Sequence, residues 1–293
     1  MVQTRRQIEA LLNEAGIRPL KRFGQNFLID GNLIRKLVSA AGVRSDDTVL
    51  EVGPGTGSLT EELLAAAGHV VTVEIDKGLA AVCRGRFGGN ERFTLLHTDV
   101  LQRKSEITPA VLDVLRARQA RLGGRMMLVA NLPYQVATPL LVDLLLGDDR
   151  VSPLCFTVQA EVADRLVAPA GTKEYGPISI YAQGFAEATR IARLPPEVFW
   201  PAPQVESAML RLSVRSGPPG MAPAKRGLAE VVHACFLHRR KTLRRNLRTI
   251  MDDETLDRVA RDGRWDLHDR PEQLTVAQWT ELAGFLAERS RRK

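Results

Sequence analysis

The sequence predicts an α/β protein, a Rossmann-like parallel sheet followed by a small all-α C-terminal domain, and three observations carry that prediction. Thr48-Val-Leu-Glu-Val-Gly-Pro-Gly-Thr-Gly-Ser-Leu-Thr60 is an apolar run that breaks into glycines and resumes as helix-like sequence. It reads as strand, tight turn and helix start, because Val49, Leu50 and Val52 favour strands while Gly53, Gly55 and Gly57 allow positive φ and close backbone approach. A second run, His69 to Asp76, brings Glu74 to its end, about 20 residues after the loop, the spacing at which a carboxylate meets ribose hydroxyls. Finally, Ser216-Gly-Pro-Pro-Gly-Met-Ala-Pro223 reads as a linker, beyond which helical patterns dominate.

The glycine spacing narrows the ligand. A dinucleotide fingerprint needs Gly-x-Gly-x-x-Gly, but Ser58 stands at its third glycine and Gly57 comes one place early. A nucleoside without a pyrophosphate fits both runs, and S-adenosylmethionine is such a ligand. The same runs also suit any Rossmann-like βαβ unit.

Composition bounds the rest. A chain of 293 residues, 44% apolar and 26% charged, buries a full core and carries a second small domain. No apolar stretch approaches a membrane span and the start Met1 to Arg6 is polar, so a cytoplasmic protein is expected. Cys83, Cys155 and Cys235 are far apart and lack metal-ligand spacing, which predicts reduced thiols and no metal site. The net charge of +7 is matched by the stretch from Lys225 to Ile250, where eight Lys or Arg face one acid, Glu230. An acidic partner, nucleic acid, is the expected complement.

The elements follow in order. Thr4 to Ala15 predicts an amphipathic helix with Ile8, Leu11 and Leu12 on one face, a lid or an arm. Lys21 to Asp30 reads as a ligand-facing loop or a connector, and Asn32 to Ala41 as helix. Helices over Leu59–Ala67 and Gly78–Phe87 alternate with strands ending at Glu74 and just before Asp99. Asp99 is either an acceptor for an adenine amino group or a turn residue. After a cationic helix, Pro109 to Arg121, a buried strand leads into Asn131-Leu-Pro-Tyr134. There Asn131 offers an amide oxygen, Pro133 keeps the Leu132 carbonyl outside helix bonding, and Tyr134 gives a flat face. Two acceptors and a stacking plane suit a planar amine, although Asn-x-Pro is also an ordinary strand-to-helix turn. Beyond it come a helix from Thr138 to Leu146, a strand from Leu154 to Gln159 and a helix from Glu161 to Val167. Ala188–Leu194 and Ser207–Val214 alternate as an antiparallel edge pair, and Phe199 to Ser207 between them reads as a second pocket wall.

Together these residues resemble the ribosomal RNA adenine dimethyltransferase family, over nearly the whole chain. The likeness rests on Phe23-Gly-Gln-Asn-Phe-Leu28, Glu51-Val-Gly-Pro-Gly-Thr-Gly57, Glu74-Ile-Asp76, Asn131-Leu-Pro-Tyr134 and Gln159 to Arg165. Tyr175-Gly176, Phe199-x-Pro-x-Pro-x-Val-x-Ser207 and Arg239-Arg-Lys-Thr-Leu243 complete it. The resemblance implies a seven-stranded class I methyltransferase sheet over residues 1–215 and a helical RNA-binding domain over 224–293. It implies that Asn26, Leu28, Gly53, Gly55, Glu74, Asp99 and Asn131 hold S-adenosylmethionine. Asn131 and Leu132 would then accept from the target N6, and Tyr134 and Phe199 would sandwich the extruded base. The implied reaction is dimethylation of two adjacent adenines near the 3′ end of small-subunit RNA in a pre-30S particle, by a monomer. Arg239, Arg240, Lys241, Arg244, Arg245 and Arg248 would meet RNA phosphates.

Gln135 and Ala137 stand where that family often has Asn and Ser, Trp200 replaces a smaller residue, and the segment 103–124 is longer than usual. A large-subunit adenine methyltransferase shares the glycine loop, but the Phe199–Ser207 and Arg239–Leu243 patterns favour the small-subunit enzyme. Leu132 weighs against DNA adenine and protein glutamine methyltransferases, which more often carry proline there. A ribosome-assembly checkpoint or a transcription factor retaining the fold is the alternative of another class.

Overall fold

A computed structural model describes residues 3–19, 24–103, 106–215, 221–262 and 264–290, without the side chains of 221–224 and 286–290. Seven strands form its main sheet: β1 (Thr48–Val52), β2 (His69–Glu74), β3 (Phe93–His97), β4 (Met126–Asn131), β5 (Val151–Gln159), β6 (Ala186–Leu194) and β7 (Ser207–Val214). Their order across the sheet is β3-β2-β1-β4-β5-β7-β6. The first five run parallel, and β7 lies antiparallel to β5 with Ser207 opposite Gln159. Every residue of β1 and β2 is buried, as sheet strands covered on both faces require. Helices Ser58–Ala66, Lys77–Phe87, Pro109–Leu122 and Tyr134–Leu146 connect the parallel strands. The order reverses between β1 and β4, so the crevice at their carboxyl ends is where a ligand is expected.

Two pairings bring distant sequence together. Phe27–Leu28 forms a short antiparallel ladder with Phe199–Trp200, Phe27 opposite Trp200 and Leu28 opposite Phe199. Alternation then divides the four side chains. Leu28 and Phe199 enter the main core with Ile34 and Leu37, whereas Phe27 stacks on Trp200 at 6.2 Å beside Ile8, Leu12 and Leu79. The N-terminal helix Arg5–Glu14, capped by Thr4 and Gln7, thus anchors through Ile8 and Leu12. Just ahead of it the buried Gln3 accepts from the Thr56 and Ser58 hydroxyls at 2.6 and 2.8 Å, tying the arm to the glycine loop.

The chain divides into two compact units, 1–144 with 149–163 and 187–214, and 145–148 with 164–186 and 215–293. Within the second, helices Pro177–Phe185, Met221–Leu237 and Val276–Ser290 pack together around the buried Tyr175, Val232 and Trp279. Segment 164–186 therefore groups with the C-terminal helices, where a division at the linker leaves it with the sheet. Residues 216–220 of that linker lie outside the described residues. Helix Pro177–Phe185 has no counterpart in the sequence reading, because Ile178, Ile180, Tyr181, Ala182 and Phe185 bury several of its faces and leave no amphipathic period. The helix after Asn131-Leu-Pro starts at Tyr134 rather than Thr138.

Candidate active site

The carboxyl ends of β1, β2 and β4 frame a cavity of about 360 Å³, within the range of small-molecule sites. Asn26, Leu28, Gly53, Gly55, Glu74, Asp99 and Asn131 all line it, as do Leu132 and Tyr134, so residues read from five separate stretches converge. Its glycine wall has no room for side chains. A Cβ on Gly53 (φ +71°) would meet Pro133 at 2.9 Å, and one on Gly55 (φ +58°) would meet the Phe27 ring at 2.8 Å.

Two carboxylates are buried here. Glu74 is 4% exposed and accepts from the Asp76 N–H at 2.9 Å. Burial pushes its carboxyl up to about 7, against the pull of the Asp76, Gly55 and Ile75 N–H groups. Glu51, 1% exposed, accepts one hydrogen bond among the described residues, from the Thr60 hydroxyl at 2.7 Å. Burial, with the Glu74 charge added, pushes it up to about 8. Sequence reasoning did not single out Glu51 as a site residue. The available signal was a carboxylate inside a strand otherwise built from apolar and threonine side chains.

Asp99 accepts from the Leu101 N–H at 2.9 Å, a turn contact, and still borders the cavity. At the close of β4, the Asn131 amide donates from Nδ2 to the Asn26 carbonyl at 2.9 Å and accepts at Oδ1 from the Thr157 hydroxyl at 2.5 Å. No backbone N–H among the described residues reaches the Leu132 carbonyl, as the proline-fixed turn leads one to expect. The Tyr134 hydroxyl bonds that of Ser207 at 2.7 Å, which fixes the ring, and burial raises its ionisation above the usual phenol value.

Phe199 corrects the sequence expectation. It is 3% exposed, packs with Leu28 and Ile34 in the core, and does not line the cavity. Strand alternation opposite Leu28 commits its ring to the core, and the aromatic residues that line the cavity are Tyr134 and Phe27. Lys21, Arg22 and Phe23 lie outside the described residues.

In the second unit, the basic stretch is partly neutralised by acids that follow it in sequence. Arg239 donates to the Lys173 and Thr172 carbonyls and lies 3.6 Å from Glu272. Arg244 pairs with Asp257 and Arg248 with Asp253, each at 3.1 Å. Arg240, Lys241 and Arg245 are exposed, with no side-chain partner among the described residues.

A family model described as ribosomal RNA adenine dimethylase matches residues 18–288. A protein of Magnetococcus marinus named ribosomal RNA small subunit methyltransferase A is 39% identical over 279 residues, covering 94% of this chain and 95% of its own. One of the same name from Geobacillus thermodenitrificans is 37% identical over 290 residues, 97% of each. Among solved structures, a dimethyladenosine transferase from Plasmodium falciparum superposes with a TM-score of 0.65 at 20% identity, covering 89% of this chain and 96% of that one. The 23S rRNA methyltransferase ErmE gives 0.61 at 24%, covering 89% and 99%. These two likenesses speak for the fold.

Proposed function

This chain belongs to the ribosomal RNA adenine dimethylase family, and from that premise we propose that it dimethylates N6 of two adjacent adenines near the 3′ end of small-subunit ribosomal RNA, using S-adenosylmethionine. The observation that carries the proposal is the pair of acceptors at the end of β4, the Asn131 amide oxygen and the Leu132 carbonyl, on the wall of the cavity that also holds Glu74.

The residues fit the cofactor. The glycine wall admits close backbone approach, Glu74 stands ready for ribose hydroxyls, and Asn26, Leu28, Gly53, Gly55 and Asp99 complete the lining. Two buried carboxylates with raised pKa values favour a ligand of net positive charge, because its field stabilises their ionised forms. When bound, S-adenosylmethionine supplies a sulfonium methyl group, whose bond electrons leave with sulfur as the carbon is transferred.

The target amine is planar and weakly nucleophilic, because its lone pair is delocalised into the ring. Hydrogen bonds from N6 to Asn131 Oδ1 and the Leu132 carbonyl strengthen as positive charge develops on nitrogen, which stabilises the transition state more than the ground state. No protein base is needed, since the alkylated nitrogen is acidic and gives its proton to water. Tyr134, locked by Ser207, offers a face to the extruded base, stacking being worth about 1–3 kcal/mol. After one transfer a single N–H remains, so the monomethyl amine must turn and rebind.

We assign the first unit to cofactor and catalysis and the helical C-terminal region to RNA in a pre-30S particle, with Arg240, Lys241 and Arg245 as the cations open to phosphate. The enzyme is read as a cytoplasmic monomer. Among the described residues no helix is long and apolar enough to cross a membrane. Incubation with labelled S-adenosylmethionine and unmodified small-subunit particles tests the proposal. Two neighbouring adenines should each gain two methyl groups, and label on another base or none at all overturns it.

A further inference from the structure

Thr157 lies in β5 between Phe156 and Val158, and all three are fully buried. A hydroxyl in such surroundings must find a partner or cost stability. It finds Asn131, which sits directly opposite in the parallel β4–β5 register. The direction of this contact is fixed by chemistry rather than by choice of atom names. The Asn26 carbonyl can only accept, so the amide edge 2.9 Å from it must be Nδ2. Oδ1 therefore faces Thr157, and the hydroxyl must be the donor.

From this geometry, and resting on the function proposed above, we infer that Thr157 is a positioning residue: its hydroxyl and the Asn26 carbonyl clamp the Asn131 carboxamide so that one lone pair of Oδ1 stays free for the target amine. An amide oxygen has two lone pairs, and Thr157 occupies one. Without the clamp the terminal torsion of an asparagine is broad and nearly two-fold. The alternative rotamer turns Nδ2 toward the amine, donor against donor. The clamp also links the two halves of the site, because Asn26 belongs to the segment lining the cofactor cavity. It has a counter-effect: a donor on Oδ1 weakens that oxygen as an acceptor for a second donor. Positioning and acceptor drain predict opposite signs for removal of the hydroxyl.

The test uses the full chain, unmodified small-subunit particles and labelled S-adenosylmethionine, with Thr157→Val, Thr157→Ser, Asn131→Ala and the Asn131→Ala/Thr157→Val double variant. Thr157→Val keeps the side-chain shape and should lower kcat about 10- to 100-fold, the cost of a small misplacement of a reacting group. Cofactor Kd and particle KM should stay within about two-fold, as expected of a loss confined to the transition state. Thr157→Ser should recover most of the rate. In the Asn131→Ala background, Thr157→Val should cost nothing further, since its effect runs through Asn131.

An unchanged or raised kcat in Thr157→Val overturns the inference, as does a loss that persists when Asn131 is absent. If Thr157→Val fails to fold, Thr157→Ala takes its place beside Thr157→Ser. A rate loss in the alanine variant that serine restores and that vanishes in the Asn131→Ala background supports the clamp, whereas no loss, or an equal loss in both backgrounds, overturns it. A wild-type chain that leaves the particles unmethylated sinks the proposed function itself, and an active wild type with an indifferent Thr157 sinks this inference alone.

Discussion

Asp47 and Glu51 stand at opposite ends of β1, both essentially without exposure, and the fold treats them in opposite ways. At the entrance, Asp47 Oδ1 accepts from Arg125 Nε at 2.9 Å and its N–H at 3.0 Å, while Oδ2 accepts from Nη2 at 2.5 Å and the Arg44 N–H at 2.8 Å. Burial alone would raise this carboxyl, but the Arg125 and Arg44 donors and the guanidinium charge hold it below the usual carboxylate range. At the exit, Glu51 accepts from Thr60 alone among the described residues and is pushed up to about 8. Burial thus says little about whether a charge is structural. What separates the two is whether the fold itself supplies enough donors, and the end it leaves incomplete is the end with the cavity. The cations of the basic stretch repeat the rule, Arg244 and Arg248 being answered by Asp257 and Asp253 while Arg240, Lys241 and Arg245 have no acid among the described residues.

The comparison breaks most visibly at its structural end. Asp47→Ala takes the carboxylate from the Arg125 guanidinium, which keeps only the Gly42 carbonyl among the described residues, and from two N–H groups, and should cost about 3 kcal/mol, the low end for an opened buried pair because Arg125 is 35% exposed. Chemical denaturation measures it. Cofactor affinity of the folded protein should be unchanged, and an equal loss there would mean that both ends of β1 serve the site.

Next in size is the open part of the basic stretch. Replacing Arg240, Lys241 and Arg245 together by alanine should reduce the salt dependence of RNA binding by about 0.7–0.9 log units per cation. The Arg244→Ala/Arg248→Ala pair should change that slope less, since those side chains already have acids. Equal slopes for the two variants would erase the distinction between paired and open cations.

Glu51→Gln sharpens the comparison at the other end. If the cavity takes the cationic cofactor proposed above, a neutral amide removes a charge beside it, so cofactor affinity should fall about ten-fold, about 1.4 kcal/mol, with unliganded stability unchanged or raised. The pH dependence has a definite sign. A folded-state pKa raised from 4.5 to about 8 gives stability that is present in full below the unfolded value and lost as pH rises through 8. Glu74 acts likewise through about 7. The unliganded wild type should therefore lose thermal stability between about pH 5 and 8, and the variant should retain more of it. Cofactor affinity should rise over the same range in the wild type, as both acids ionise.

How much of this could be read beforehand depended on whether the cause was local. β1, β2 and β4, the glycine turn and the cavity residues Gly53, Glu74 and Asn131 announce themselves through short-range pattern and turn chemistry. The Leu28–Phe199 pairing does not, because it joins two-residue strands far apart in sequence, and so the commitment of Phe199 to the core was invisible. The same holds for the basic stretch, since its acids Asp253, Asp257 and Glu272 lie beyond Ile250, where the run of cations ends. Thr157 and Ser207 gain meaning only through the strands that set them against Asn131 and Tyr134.

The smallest effect is the most discriminating. Thr60→Val removes the hydrogen bond that Glu51 accepts, without touching either carboxylate or the glycine wall. Because that bond stabilises the ionised form, its loss must raise the Glu51 pKa further. At pH 6, where Glu51 is already protonated, the variant forfeits a neutral hydrogen bond worth about 1 kcal/mol or less. At pH 9 it must bury a carboxylate with no donor, so the deficit in thermal midpoint should widen with pH. Asp47 offers the control: a side chain with four donors keeps its charge when the two guanidinium donors give way to one ammonium, and Arg125→Lys should show a deficit that does not grow from pH 6 to 9. Parallel pH profiles for the two variants would show that donor number does not govern the two ends of β1.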